Sequence, residues 1–132
     1  MSSPLDEATT TLLRQLAVTA RGPRRDGLFA LWLTLRVADD LVEAPAGPER
    51  AQRRRVQALE KRLTSLTLPA PLRRALAGTM AQFRDLRPEA AAIALSHLVA
   101  PAGDSVGPEA GQALAAAARA AQQRVAATVR QR

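Results

Sequence analysis

Residues 27–43 read GLFALWLTLRVADDLVE, and this stretch decides the fold. Its apolar residues recur at such short intervals that they cover most of the circumference of an α-helix. A helix that is apolar nearly all round is buried at the centre of its domain. The stretch therefore predicts a central helix over 27–43, with Asp26 as its N-cap.

The rest of the chain supplies amphipathic helices that would pack around this centre. Alanine, leucine, arginine and glutamine are abundant, while aromatic residues make up only 2% of the chain, so helices are favoured over strands. Further helices are predicted over 4–20 with Ser3 as N-cap, 49–66, 70–83, 88–100 and from 108 towards 130. The sequence thus predicts an all-α protein: a compact bundle of five to seven helices in a single domain, 1–132.

Several classes of protein are disfavoured by what the sequence lacks. There is no cysteine, which excludes disulfides and thiolate metal sites. The first residues, MSSPLDE, have neither the basic nor the apolar region of a signal peptide. The longest apolar run, 28–37, is too short to span a bilayer and contains Arg36. We therefore expect a soluble, cytoplasmic protein without a transmembrane segment.

The formal net charge of +7 comes almost wholly from arginine, since Lys61 is the only lysine. Such a charge reflects either a compositional bias of the source or an attraction for anions. The run Arg53–Arg55 points to three sides of a helix and has no aromatic platform beside it. An arginine-rich, nucleic-acid-associated protein remains an alternative, but we expect any nucleic-acid binding to be weak, non-specific and sensitive to salt.

Three carboxylates, Asp39, Asp40 and Glu43, crowd the C-terminal end of the central helix. The helix dipole disfavours acidic groups there by roughly 0.3–1 kcal/mol each, so something should compensate them. One interpretation is a solvated helix end neutralised by Arg36, three residues before Asp39, and by nearby arginines. Another is a shared divalent cation, because Mg²⁺ takes one or two protein carboxylates together with water and phosphate oxygens.

The segment 23–43, PRRDGLFALWLTLRVADDLVE, resembles the first aspartate-rich helix of the squalene/phytoene synthase family. That helix typically has a basic loop, an apolar stretch with an aromatic residue, and then Arg, a small residue, Asp-Asp, two apolar residues and an acid. The segment 71–83, PLRRALAGTMAQF, is similar to the helix that follows, and the resemblance extends over about residues 20–100.

The resemblance implies a site for the diphosphate of an isoprenoid substrate. In the family, the acidic residues hold Mg²⁺ against this diphosphate. Carried onto this chain, the magnesium ligands are Asp39, Asp40 and Glu43, and the diphosphate contacts are Arg24, Arg25 and Arg36.

Other features of the chain depart from the family pattern. Family enzymes are about twice as long and carry a second acidic helix. Here Asp85 and Glu89 have the spacing of a second acidic motif, but Pro88 lies between them, and Asp104 stands alone in a predicted loop. A site that ionises a diphosphate needs metal charge on both sides of the leaving group. The chain also lacks the tyrosines that line family active sites.

These departures favour a non-catalytic or incomplete relative of the isoprenoid synthases. We expect it to act as an interaction or accessory subunit, with a protein partner or a second copy of the chain. The alternative is a Mg²⁺-dependent protein that binds a prenyl diphosphate, or an enzyme that oligomerisation completes.

Overall fold

The structure is a computed structural model that describes residues 5–43 and 48–130. Within these ranges it has seven α-helices and no strand, which confirms the all-α prediction. The helices are α1 (Asp6–Val18), α2 (Pro23–Val42), α3 (Glu49–Thr64), α4 (Ala70–Phe83), α5 (Pro88–Ser96), α6 (Val99–Val106) and α7 (Pro108–Arg130). None of these helices is long and apolar enough to cross a membrane. The predicted N-cap Ser3 lies outside the described residues.

Helix α2 is the centre of the fold, as its sequence predicts. It contacts each of the other six described helices. Leu28, Leu31 and Leu35 are completely buried along it, whereas Phe29 and Trp32 are only partly buried. The bundle therefore covers most of α2 but leaves one aromatic side of the helix accessible.

The beginning of α2 differs from the prediction, because the helix starts at Pro23 rather than at residue 27. Gly22 precedes it with φ +148°, a conformation that favours glycine, and proline suits the first helical position because no N–H is needed there. Asp26 is therefore not the N-cap. Its Oδ2 accepts a hydrogen bond from the backbone N–H of Thr67 at 2.9 Å, which ties α2 to the α3–α4 connection.

The segment after Pro88 also differs from the prediction of one helix followed by a loop. The chain leaves α5 at His97 and Leu98, and α6 then begins at Val99. Pro101 lies in the first turn of α6, where proline is tolerated, so it belongs to a helix start rather than to a stop. Asp104, predicted to stand in a loop, is a helical residue of α6.

Helices α6 and α7 pack closely through two glycines. A Cβ atom added at Gly111 would lie 3.0 Å from Cα of Gly103 and 3.4 Å from the carbonyl oxygen of Val99. A side chain at Gly111 would therefore have to push the two backbones apart by a few tenths of an ångström. The alanines of α7 suit the same close packing, and several are buried: Ala110, Ala113, Ala117, Ala118 and Ala121.

Two polar contacts join parts of the chain that are far apart in sequence. The Nε–H of Arg24 donates to the carbonyl oxygen of Val106 at 3.0 Å, where α6 ends. The side-chain amide of Gln15 in α1 donates to the carboxylate of Glu109 in the first turn of α7. The first contact satisfies a carbonyl that the end of a helix would otherwise leave unpaired, and the second supports the packing of α1 on α7.

Candidate functional site

An apolar groove lies between α1, α2 and the C-terminal end of α3, on the accessible side of α2. Its volume is about 680 Å³, within the range of about 300–1,000 Å³ that is typical of small-molecule sites. Its apolar lining consists of Leu13, Leu16, Ala17, Phe29, Trp32 and Leu66. Its polar lining consists of Arg21, Arg25, Asp26 and Arg62. The groove thus combines an apolar surface with a mainly positive rim.

The α2 wall of the groove is an aromatic pair, Phe29 and Trp32. Three residues apart, the two side chains share one face of the helix, and their ring centroids lie 6.1 Å apart with 17° between the planes. The guanidinium carbon of Arg62 lies 5.3 Å from the Phe29 centroid, and that of Arg36 lies 5.7 Å from the Trp32 centroid. Both distances fall within the range of cation–π contacts, so arginines border the aromatic surface.

Positive charge dominates the rim of the groove. Arg21, Arg25 and Arg62 outnumber the single carboxylate of Asp26, which already accepts the hydrogen bond from Thr67. Arg25 lies in the first turn of α2, where the helix dipole adds positive potential. The end of the groove at Arg21 and Arg25 therefore suits an anionic group.

Arg25 carries the most specific feature of this rim. Its Nε atom is buried and has no hydrogen-bond partner among the described residues. A buried donor left without an acceptor costs about 1–3 kcal/mol, and more when the group is charged. An anionic oxygen of a ligand at this end of the groove would supply the acceptor.

The three arginines that the resemblance selects lie in three different places. Arg25 lines the groove, whereas the side chain of Arg24 reaches the end of α6 through its hydrogen bond to Val106. Arg36 lies over Trp32, on the far side of the aromatic pair from Arg25. Only Arg25 therefore stands at the rim of this groove.

The acidic cluster lies at the opposite end of α2. Asp39 is half-buried, Glu43 is exposed, and Asp40 pairs with Arg55 of α3, whose Nη1 is 3.6 Å from its Oδ2. Among the described residues, no three acidic or histidine side chains are close enough to hold a metal ion. A magnesium site here stays a prediction, and it would have to complete its shell with water and phosphate oxygens.

The carboxylates and the basic rim of the groove are well separated. Arg25 and Asp39 are 14 residues apart on one helix, which corresponds to about 21 Å along its axis. A diphosphate held at Arg25 would therefore not reach a metal ion held at Asp39. The fold therefore does not bring Arg25 and Asp39 into one site.

The arginine run on α3 forms no dense patch, as helical spacing predicts. Arg53 pairs with Glu49, with 2.6 Å between Nη2 and Oε1, while Arg55 pairs with Asp40. Arg54 is exposed between them. The expectation of weak nucleic-acid binding stays a prediction.

Sequence reasoning missed Arg21 and Arg62 as site residues. Arg21 could have been selected with the basic residues that precede α2, because it stands directly before the Gly22-Pro23 turn. Arg62 offers no such signal, since it reads as one of several exposed charges on α3. Its role at the rim depends on how α3 packs against α2.

Comparison of the chain with models of protein families, with curated proteins and with solved structures finds no match. The resemblance to the squalene/phytoene synthase family therefore rests on the sequence motifs alone. The groove, with its aromatic wall and its arginine rim, carries the functional proposal.

Proposed function

We propose that the chain is a non-catalytic helical relative of the isoprenoid synthases that binds a prenyl diphosphate in the groove, as an accessory subunit. One observation carries this proposal: an apolar, aromatic-lined groove has three arginines at its rim, and one of them has a buried donor without an acceptor in the part of the chain that the structure describes. A prenyl diphosphate joins an apolar chain to an anionic head. Its two parts match the two parts of the groove.

The groove suggests how such a ligand would lie. Its diphosphate would sit at Arg21 and Arg25, where guanidinium groups form strong charge-assisted hydrogen bonds with phosphate oxygens. Its isoprenoid chain would run along Phe29 and Trp32 towards the C-terminal half of α2. Burial of that chain contributes about 25 cal/mol for each Å² of apolar surface removed from water.

Binding without catalysis is the simpler proposal for this arrangement. Cleavage of a prenyl diphosphate requires stabilisation of the departing diphosphate, which metal ions supply in the family. Asp39, the first of the carboxylates that would hold such ions, is about 21 Å along α2 from Arg25. We therefore propose that the chain binds the ligand and presents it to a protein partner or to a second copy of the chain.

Trp32 provides a direct test of this proposal, because it is the only tryptophan of the chain and lines the groove. Titration with farnesyl diphosphate should change its fluorescence in a saturable way. Arg25→Gln should weaken binding by about tenfold or more, because a hydrogen bond to a charged group contributes about 1.5–3 kcal/mol. Fluorescence titration of both proteins gives the two dissociation constants.

Arg54→Gln is the matched control, since it removes the same charge from an exposed position outside the groove lining. Its affinity for farnesyl diphosphate should stay close to that of the wild type. An equal loss of affinity in both variants would mean that overall charge, rather than the groove, attracts the ligand. The absence of any saturable change with the wild type would refute the proposed function.

The dependence on magnesium distinguishes this proposal from a metal-dependent enzyme. We expect Mg²⁺ alone to change the melting temperature very little. Farnesyl diphosphate at about a hundred times its dissociation constant should add roughly 2.7 kcal/mol of stability, and it should do so in the presence of EDTA. Thermal unfolding with each combination of ligand, Mg²⁺ and chelator provides the measurement.

Asp39→Asn supplies the second arm of the magnesium experiment. If Arg25 holds the diphosphate, this variant should keep the ligand-induced stabilisation. A stabilisation that requires Mg²⁺ and is lost in Asp39→Asn would instead place the diphosphate at the acidic cluster. That result would favour the metal-dependent alternative.

A further inference from the structure

A second, smaller groove continues along the interface between α2 and α3, towards the C-terminal end of α2. Its volume is about 240 Å³. It is lined by Leu33, Arg36, Val37, Arg55, Ala58, Leu59 and Arg62. Arg62 therefore lines both grooves, and its side chain stands between them.

The α2 residues of the two grooves form one continuous stripe. Arg25, Phe29, Leu33 and Val37 follow one another at intervals of four residues, so each lies beside the one before it and about 40° further round the helix. Along the helix axis, Trp32 lies about 10 Å from Arg25 and Val37 about 18 Å from it. An apolar chain that starts at Arg25 would meet Arg62 part of the way along this stripe.

Arg62 is held in this position by a weak contact. It is an exposed residue in the last turn of α3, and its guanidinium carbon lies 5.3 Å from the centroid of Phe29. Leu33 and Val37 beyond it are only partly buried, so an apolar surface continues past the arginine. The charged side chain of Arg62 thus separates two apolar grooves that would otherwise join.

We propose that Arg62 sets the length of the isoprenoid chain that the groove accepts. This inference rests on the proposed function, because it concerns the same ligand with its head at Arg25. The wild type would hold a chain that lies on Phe29 and Trp32 and ends where the side chain of Arg62 separates the two grooves. Removal of the side chain of Arg62 would join the two grooves and let a longer chain reach Leu33 and Val37.

The test compares farnesyl and geranylgeranyl diphosphate by isothermal titration calorimetry, with the wild type and with Arg62→Ala. The ratio of the two affinities should shift towards geranylgeranyl diphosphate by on the order of tenfold in the variant, because burial of even two more methylene groups has an effect of that size. The two ligands carry the same head, so the lost charge weakens both alike and cancels in the ratio. An unchanged ratio would overturn the inference.

Two further variants sharpen this experiment. Arg62→Lys keeps a long charged side chain, so its ratio should stay close to that of the wild type. Ala58→Phe in the Arg62→Ala background should refill the second groove, whose wall includes Ala58, and reverse the shift. A shift that persists in this double variant would mean that the extra chain does not enter the second groove.

The outcomes separate this inference from the function on which it depends. Binding of both ligands with the same ratio in the wild type and in Arg62→Ala would refute the role of Arg62 and leave the proposed function intact. Binding of neither ligand by the wild type would refute both. Circular dichroism of each variant confirms that the helices are intact, which is expected because Arg62 and Ala58 are exposed.

Discussion

Replacement of Phe83 by alanine should lower the free energy of unfolding by about 3–5 kcal/mol, the usual cost of truncating a fully buried phenylalanine. Phe83 ends α4 with 0% of its surface exposed, and it is among the largest completely buried side chains. The loss of stability combines the free energy that burial of the aromatic ring contributes with the cost of the cavity left behind. The melting temperature should fall by on the order of 10–20 °C.

Urea unfolding monitored by circular dichroism measures this effect. Val18→Ala is the control, because Val18 is 84% exposed and surface substitutions usually change stability by no more than about 0.5 kcal/mol. A similar, small loss in both variants would show that Phe83 is not packed as described.

Gly111→Val should destabilise the fold by about 3 kcal/mol, at the upper end of the usual cost of overpacking. A Cβ at this position would lie only 3.0 Å from the Cα of Gly103 and 3.4 Å from the oxygen of Val99. These are backbone atoms of α6, so they cannot rotate away as a side chain could. Relief of the clash therefore requires α6 and α7 to separate, which exposes the alanines between them.

Gly78→Ala provides a control with the opposite sign. Gly78 is also a helical glycine, but no neighbouring atom of residues 5–43 or 48–130 lies within 4 Å of a Cβ added there. Alanine should therefore stabilise α4 by about 0.5–1 kcal/mol, through its higher helix propensity and the smaller entropy of the unfolded chain. Denaturant titrations of the two variants should differ in the sign of the change. A neutral Gly111→Val would contradict the close approach of α6 and α7.

The sequence was most informative where one property decides the structure. Leu72, Leu76, Met80 and Phe83 recur at helical spacing on α4, a pattern that predicts one inward face, and all four are buried. The same reasoning located α2 at the centre of the bundle, because an apolar surface on most sides of a helix needs neighbours on most sides.

Prediction was poorer where one residue type suits two different structural positions. Asp26 has the chemistry of an N-cap, but its acceptor is used by Thr67, a partner 41 residues away. Pro101 was interpreted as the end of a helix, although proline suits the first turn of the next one equally well. A tertiary contact determines the role of Asp26, and the helix that follows determines the role of Pro101. Neither can be recognised from the few neighbouring residues in the sequence.

The groove could be predicted only in part. Arg25 was selected by its place in the motif, but the groove itself forms because α1, α2 and α3 leave a space between them. Leu13 and Leu66 belong to the apolar stripes of their helical segments, a pattern that predicts the core, and instead they line this space. No local periodicity distinguishes an apolar residue that faces another helix from one that faces a groove.

The hydrogen bond between Gln15 and Glu109 joins residues that are 94 positions apart, and it has a consequence for biosynthesis. A ribosome adds about 5–20 residues per second, so roughly 5–20 seconds separate the synthesis of these two residues. During that time α1 can pack on α2 but not on α7, and part of its apolar face stays exposed to chaperones. The final packing of α1 therefore waits until the first turn of α7 has left the ribosome.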